Sequence, residues 1–170
     1  KLMKGHKIKL VVTSPPYNMA GSMYKDYKDS KGSDEYIEFN LKTIKNIEPH
    51  LEGYIFWNLS YNANSRFEFI EIFHRIIKET NLKFLENIIW DKGHGMPITS
   101  PHLLTREYEM ILVVGEEDTV QKELQSTFLG TNLDKVWYNK GGFKALTNYW
   151  RIFVNRTQTD EHKAAFPLQL

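Results

Sequence analysis

The sequence predicts an α/β domain built around a largely parallel sheet. Three observations carry that expectation. Short apolar runs alternate with longer stretches of helical spacing as far as Thr80, the pattern of βαβ units. The first run, Ile8 to Ser14 (IKLVVTS), is β-branched and apolar, and it reads as a strand buried on both faces. That run stops at Ser14-Pro15-Pro16-Tyr17, where two prolines in succession can neither donate to a ladder nor continue as helix.

The elements follow in order. After the first strand, SDEYIEFNLKTIKNIEPHL places apolar residues at Tyr36, Ile37, Phe39, Leu41, Ile44 and Ile47. Ser33 with Asp34 and Glu35 supplies a helix start with acids in the first turn. Gly53 opens a second buried strand, YIFWNLS. NSRFEFIEIFHRIIKET has helical spacing through Phe67, Ile70, Phe73, Ile76 and Ile77. KFLENIIWDK is a third strand and EYEMILVVGE a fourth, closed by Gly115. The stretch between these two is rich in Gly, Pro and Ser and has no helical pattern, so an antiparallel pair at a sheet edge is expected. Its GHG at Gly93 to Gly95 leads into Pro97, and reads as loop punctuation. Beyond Gly115 the chain is mixed and polar, with Gly141-Gly142 as a turn or hinge.

Composition narrows the function classes. Of 170 residues, 41% are hydrophobic and 25% charged, enough for the core of one domain and unlike a disordered chain. The net charge of +1 advertises no global field for a polyanion, so any nucleic-acid contact rests on local patches. There are no cysteines, which excludes disulfides and thiolate metal sites and permits a reducing, cytoplasmic setting. The six histidines are dispersed, so no metal is expected. No apolar run reaches the roughly 20 residues of a membrane span, and the first residues, KLMKGHK, lack the apolar stretch of a signal peptide.

The Pro-Pro turn carries the chemistry. Ligands of open α/β sheets bind at the carboxyl ends of the strands. Two prolines there leave the Ser14 side chain and the backbone carbonyls exposed and rigid. The turn is rich in acceptors and poor in donors, and Tyr17 adds a stacking face. This combination suits a planar group bearing an NH₂.

The segment TSPPY after an apolar strand resembles the catalytic motif of DNA amino-methyltransferases, in which Asp, Asn or Ser precedes Pro-Pro and then Tyr, Phe or Trp. The order of elements is similar to the beta group of that family, whose catalytic half precedes its cofactor half. GYIFWN resembles the strand after the motif, and IIWDK and TREYEMILVV resemble the paired edge strands that follow. HKAAFPLQL, His162 to Leu170, resembles the family's His-Pro-Ala-Pro-Phe-Pro segment, with Lys163 and Ala165 in place of two prolines. The resemblance spans nearly the whole chain. It implies a Rossmann-like methyltransferase sheet with an antiparallel edge strand, with the catalytic half present. It also implies a Gly-rich cofactor loop that this chain does not contain. Residues 1–115 would form the catalytic region, 116–155 the target-recognition segment and 156–170 the start of the cofactor region. A missing C-terminal half, or a second chain, would then cover the Val11-Val12 strand, which is otherwise an apolar edge; a homodimer is one such arrangement. The chain alone is expected to bind S-adenosylmethionine weakly or not at all.

The resemblance also assigns roles. Ser14 Oγ and the Pro15 carbonyl would accept the two hydrogens of an exocyclic amino group, with Pro16 holding the turn rigid and Tyr17 stacking on the base. The nitrogen, pulled towards pyramidal geometry, would then face the methyl of S-adenosylmethionine. The base must first leave the duplex, at a cost of a few kcal/mol. Thr13, Ser14, His162, Ala164, Phe166 and Pro167 would line the cofactor. Double-stranded DNA would be met by Asn18, Lys25 and Lys28 in a flap after the motif, with contact to the cofactor a second role for Asn18 and capping of that loop at least as well suited to it. Lys135, Lys140, Lys144 and Arg151 would meet it in an aromatic-rich stretch. Ser at the first motif position favours cytosine N4, with adenine N6 the other target. A different class is a non-catalytic, DNA-binding or partner-completed half of a split methyltransferase. Trp57 is expected in the core, Asn58 at the same sheet edge, and Arg106 with Glu107 in a surface ion pair.

Overall fold

A computed structural model describes residues 5–18, 29–61, 65–93, 95, 104–116, 137–138, 142–143 and 148–152. The first half alternates as expected: β1 (Ile8–Thr13), α1 (Ser33–Ile47), a 3₁₀ turn (Glu48–His50), β2 (Leu51–Leu59) and α2 (Arg66–Glu79). Then come β3 (Lys83–Asp91) and β4 (Tyr108–Gly115), followed by a short ribbon of β5 (Trp137–Tyr138) and β6 (Gly142–Phe143), and finally β7 (Tyr149–Arg151). α1 begins after Gly32 with Asp34 and Glu35 in its first turn and Lys45 in its last, the charge order that a helix dipole favours.

Five strands form one mixed sheet in the order β1-β2-β4-β3-β7. β1 and β2 are parallel, β4 is antiparallel to both β2 and β3, and β7 runs parallel to β3. The α/β class and the antiparallel strand agree with the sequence reading, but the position of that strand does not. β4 lies inside the sheet, between β2 and β3. The reason is its composition. Ile111, Leu112, Val113 and Val114 are all buried, and a strand apolar on both faces gains most when it is paired on both sides. Each such side chain contributes about 1.5–3 kcal/mol when fully buried.

One sheet face packs on the helices. Ile55, Trp57, Leu59, Leu112 and Val114 meet Tyr36, Ile37, Leu41 and Ile44 of α1 and Phe69, Ile72 and Ile76 of α2. The other face gathers Phe56, Ile88, Trp90, Ile111 and Val113, with Tyr54, Leu85, Trp150 and Ile152 against them. Two expectations are corrected here. The apolar run of β1 predicts burial on both faces, yet Leu10 and Val12 are 55% and 45% exposed. Among the described residues β1 is an edge strand, and only Ile8 and Val11 join the core. In α2 the expected stripe is split: Ile76 is buried and Phe73 packs against the core, whereas Phe67, Ile70 and Ile77 face outwards, at 65%, 64% and 40% exposure. The helix has two apolar stripes, and periodicity alone cannot say which one docks. Phe69, Ile72 and Ile76 dock into the core, and partly exposed ion pairs from Arg75 to Glu38 and from Lys45 to Glu79 bridge α2 and α1 beside it.

Gly53 shows how closely β1 and β2 approach. A Cβ there would lie 2.0 Å from the Lys9 carbonyl oxygen, beside a register shift between Ile8 and Leu10. Among the described residues, no helix is long and apolar enough to cross a membrane.

Candidate active site

The mixed topology determines where polar residues meet. β1, β2, β3 and β7 all end at one edge of the sheet, and the antiparallel β4 begins there. That edge therefore collects Ser14 to Asn18 after β1, Asn58 near the end of β2, Asp91 and Lys92 at the end of β3, Glu109 at the start of β4, and Arg151 at the end of β7.

The Pro-Pro turn leaves β1 directly, as the sequence implies. Thr13 is the last strand residue, paired with Trp57, and Ser14 follows outside the strand. Pro15 is buried, and Ser14, Pro16 and Tyr17 are half-buried. Ser14 Oγ donates to the Tyr17 hydroxyl at 2.6 Å. That hydroxyl donates to Glu109 Oε2 at 2.7 Å. Asn58 Nδ2 donates both to the Tyr17 hydroxyl and to Glu109 Oε2, each at 2.8 Å. Lys92 Nζ closes the group on Glu109 Oε1 at 2.8 Å. Asn58 is 2% exposed and Glu109 9%, so an ionic, hydrogen-bonded cluster stands against the turn. Buried charge of this kind is tolerated only when paired. The Asn58 Oδ1 acceptor has no partner among the described residues.

Asn18 performs the capping role. It sits at φ 58°, the left-handed region that Asn tolerates. Its Nδ2 donates to the Lys31 carbonyl at 2.9 Å, and its Oδ1 accepts from the Lys31 N–H at 2.6 Å. Its own N–H donates to the buried Asp29 at 3.1 Å. These bonds clasp the two ends of the segment that carries Lys25 and Lys28, which lie outside the described residues. Lys135, Lys140, Lys144, His162, Ala164, Phe166 and Pro167 lie outside them too.

Arg151 is not a bare phosphate contact. Its Nε donates to Asp91 Oδ2 at 2.8 Å, and the Tyr149 hydroxyl donates to the same oxygen at 2.5 Å. The Gly93 N–H donates to Asp91 Oδ1 at 2.7 Å. The Tyr149 hydroxyl first, then Arg151 and the Gly93 amide, hold the Asp91 carboxyl down to about 2. Gly93 takes φ 80°, so the first glycine of GHG does serve a turn. Trp57 is core, with its indole N–H on Asn40 Oδ1. Arg106 lies over the Tyr61 ring, 5.1 Å from its centroid, a stacking contact where a surface ion pair was expected.

The sequence reading missed Glu109 and Lys92. The signal was present: Glu109 is the one acid within the apolar run of β4, in phase with the buried Ile111 and Val113. A charge at an inward position needs a partner. What the linear sequence could not supply was that partner, 92 residues away.

Comparison with known proteins gives the family and the fold. A family model described as DNA methylase, of the N6 and N4 type, matches residues 8–170. The PvuII DNA methyltransferase, described as cytosine-N4-specific, is 14% identical; the match covers 94% of this chain and 56% of that one, with a TM-score of 0.59. At this identity the likeness speaks for the fold. The M1.HpyAVI–SAM complex is 18% identical, with 68% of this chain and 48% of that one covered and a TM-score of 0.45. A second crystal structure, of M1.HpyAVI, is 17% identical, with 92% of this chain and 62% of that one covered and a TM-score of 0.44. The chain thus spans about half to three fifths of the solved structures it matches. A search of curated proteins found no match.

Proposed function

The chain belongs to the N6 and N4 DNA methylase family, and from that premise we propose that it carries the catalytic region of an S-adenosylmethionine-dependent DNA amino-methyltransferase. The target is the exocyclic amino group of a flipped base, cytosine N4 in preference to adenine N6. One observation carries the reading: an acceptor-rich, half-buried Ser14-Pro15-Pro16-Tyr17 turn stands at the carboxyl end of β1, backed by a buried carboxylate.

S-adenosylmethionine, when bound, supplies an electrophilic methyl group. Thr13 and Ser14 are the described residues that would hold it, and hydroxyls beside donor-free prolines fit its ammonium and ribose hydroxyl groups. His162, Ala164, Phe166 and Pro167 would complete that side. The chain's own part is orientation. Ser14 Oγ and the Pro15 carbonyl accept the amino hydrogens, and the Tyr17 ring supports the base plane. Lys25, Lys28, Lys135, Lys140 and Lys144, with the exposed head of Arg151, neutralise phosphates of double-stranded DNA. In this reading residues 1–115 are catalytic, 116–155 recognise the target and 156–170 open the cofactor region.

The test is direct. The full-length protein is incubated with duplex DNA and isotopically labelled S-adenosylmethionine, and the DNA is digested to nucleosides for mass spectrometry. N4-methylcytosine is expected. N6-methyladenine would change the target, and no methylated base would reject the activity.

A further inference from the structure

The hydrogen bonds of the Ser14 cluster can be assigned by elimination. Glu109 is a carboxylate and only accepts, so the Tyr17 hydroxyl must give its single proton to Oε2 at 2.7 Å. The Asn58 nitrogen lies 2.8 Å from both Glu109 Oε2 and the Tyr17 hydroxyl. With the amide reversed, its oxygen would face a carboxylate oxygen with no proton between them, so the nitrogen stands there and donates to both. The Tyr17 oxygen has then spent its only proton. Its 2.6 Å contact with Ser14 Oγ requires Ser14 to be the donor. Ser14 therefore directs its proton inwards and keeps only lone pairs for whatever enters the site.

From this geometry we propose that Ser14, Tyr17 and Glu109 form a proton relay that ends on Glu109. The proposal rests on the methyltransferase reading and gives the amino proton a destination. Once methylated, the amino nitrogen carries a positive charge. Its N–H bond breaks, leaving the electron pair on nitrogen, and the proton bonds to Ser14 Oγ. The original Ser14 proton passes to the Tyr17 oxygen as its O–H bond breaks, and the Tyr17 proton passes to Glu109 Oε2. One positive charge on the nitrogen and one negative charge on Glu109 are cancelled, and no other reactant is needed. Lys92 occupies Oε1 at 2.8 Å and leaves Oε2 as the receiving atom. Hydrogen-bonded chains of this kind polarise along their length, so the charge on Glu109 also strengthens Ser14 as an acceptor.

Two conservative variants of the full-length protein test the relay. Tyr17→Phe keeps the ring and removes the middle link. Glu109→Gln keeps the shape and removes the proton acceptor. Single-turnover methylation is expected to slow about 100-fold in Glu109→Gln and at least about tenfold in Tyr17→Phe, the scale of lost general-base assistance. DNA affinity should stay within about threefold, a split between transition-state and ground-state effects. Rates in mixed light and heavy water should show several protons in flight in the wild type and fewer in Tyr17→Phe. A Tyr17→Phe protein with wild-type rate and solvent dependence overturns the relay and leaves the methyltransferase reading intact. A second measurement needs no turnover. Proton NMR of the protein alone should show exchange-protected hydroxyl signals from Ser14 and Tyr17, both shifted by Glu109→Gln. If no hydroxyl signal responds to Glu109, the relay fails even where DNA is methylated. If the wild type methylates no DNA, the proposed function falls, and the relay falls with it.

Discussion

Glu109 and Asp91 stand at the same edge of the sheet on neighbouring strands, and each is assembled from similar parts. Glu109 accepts the Tyr17 hydroxyl and the Lys92 ammonium. Asp91 accepts the Tyr149 hydroxyl and the Arg151 guanidinium. Both are nearly buried. They differ in what lies beyond the tyrosine. Tyr17 receives a further proton from Ser14, so the chain of bonds runs on to the turn where a substrate would sit. Tyr149 and Arg151 belong to β7 itself, two residues apart, and Asp91 also takes the Gly93 amide. That second cluster fastens β7 and the loop after β3. A carboxylate with a tyrosine and a cation is thus not a site by composition. It becomes one when its hydrogen bonds lead to a group that faces a ligand.

The comparison can be broken first at Ser14. Ser14→Ala removes the outward acceptor but leaves Glu109 with Tyr17, Asn58 and Lys92. Methyl transfer should fall by about 10²–10³-fold, because this bond is asked to strengthen in the transition state, while DNA affinity changes little. Single-turnover rates and DNA titration, measured together, check it. Equal losses in both would make Ser14 a binding residue.

A smaller effect is expected at Asp91, and it is one of folding. Its carboxyl is held at about 2, below the ordinary value of 3.8. A depressed carboxylate stabilises the fold above its unfolded value, and that contribution is lost as pH falls from about 4 to 2. The Ile89 amide donates to Asn148 and the Ile152 amide to the Asp91 carbonyl, so both report on the seating of β7. Their hydrogen-exchange protection, corrected for the intrinsic rate, should drop as the pH is lowered through that window. In Asp91→Asn it should be about tenfold lower at neutral pH and no longer vary there. Protection unchanged by the substitution would show that the Asp91 side chain does not hold β7 in place.

The smallest effect is expected at Arg151. Arg151→Lys keeps the charge but loses the planar fork, on a side chain that is 63% exposed. Exposed pairs contribute little, so the melting temperature should move by less than about 2 °C. A larger shift would make the Asp91 cluster a stronger fastening than its exposure implies.

Some of this was written locally and some was not. Ser14-Pro15-Pro16-Tyr17 could be read without a structure, since prolines restrict their own φ and their neighbour's conformation wherever they occur. The same holds for the two helices, whose apolar spacing and charged ends are properties of a single segment. The exposed Phe67 and Ile70 show where such reading stops. A helix with two apolar stripes has two ways to dock, and the stripe of Phe69, Ile72 and Ile76 is the one that packs with α1 and the sheet. β4 shows the same at the level of the sheet. Its apolar run announced a strand, but its place between β2 and β3 came from pairing on both sides. That placement decided the site. An antiparallel strand inserted among parallel ones brings its beginning to their ends, and so Glu109 reached Tyr17 and Asn58, from which it is separated by 92 and 51 residues. A rigid, acceptor-rich turn at the end of a strand is legible in five consecutive residues. The carboxylate behind it is not, because hydrogen bonds between distant segments depend on topology and not on spacing along the chain.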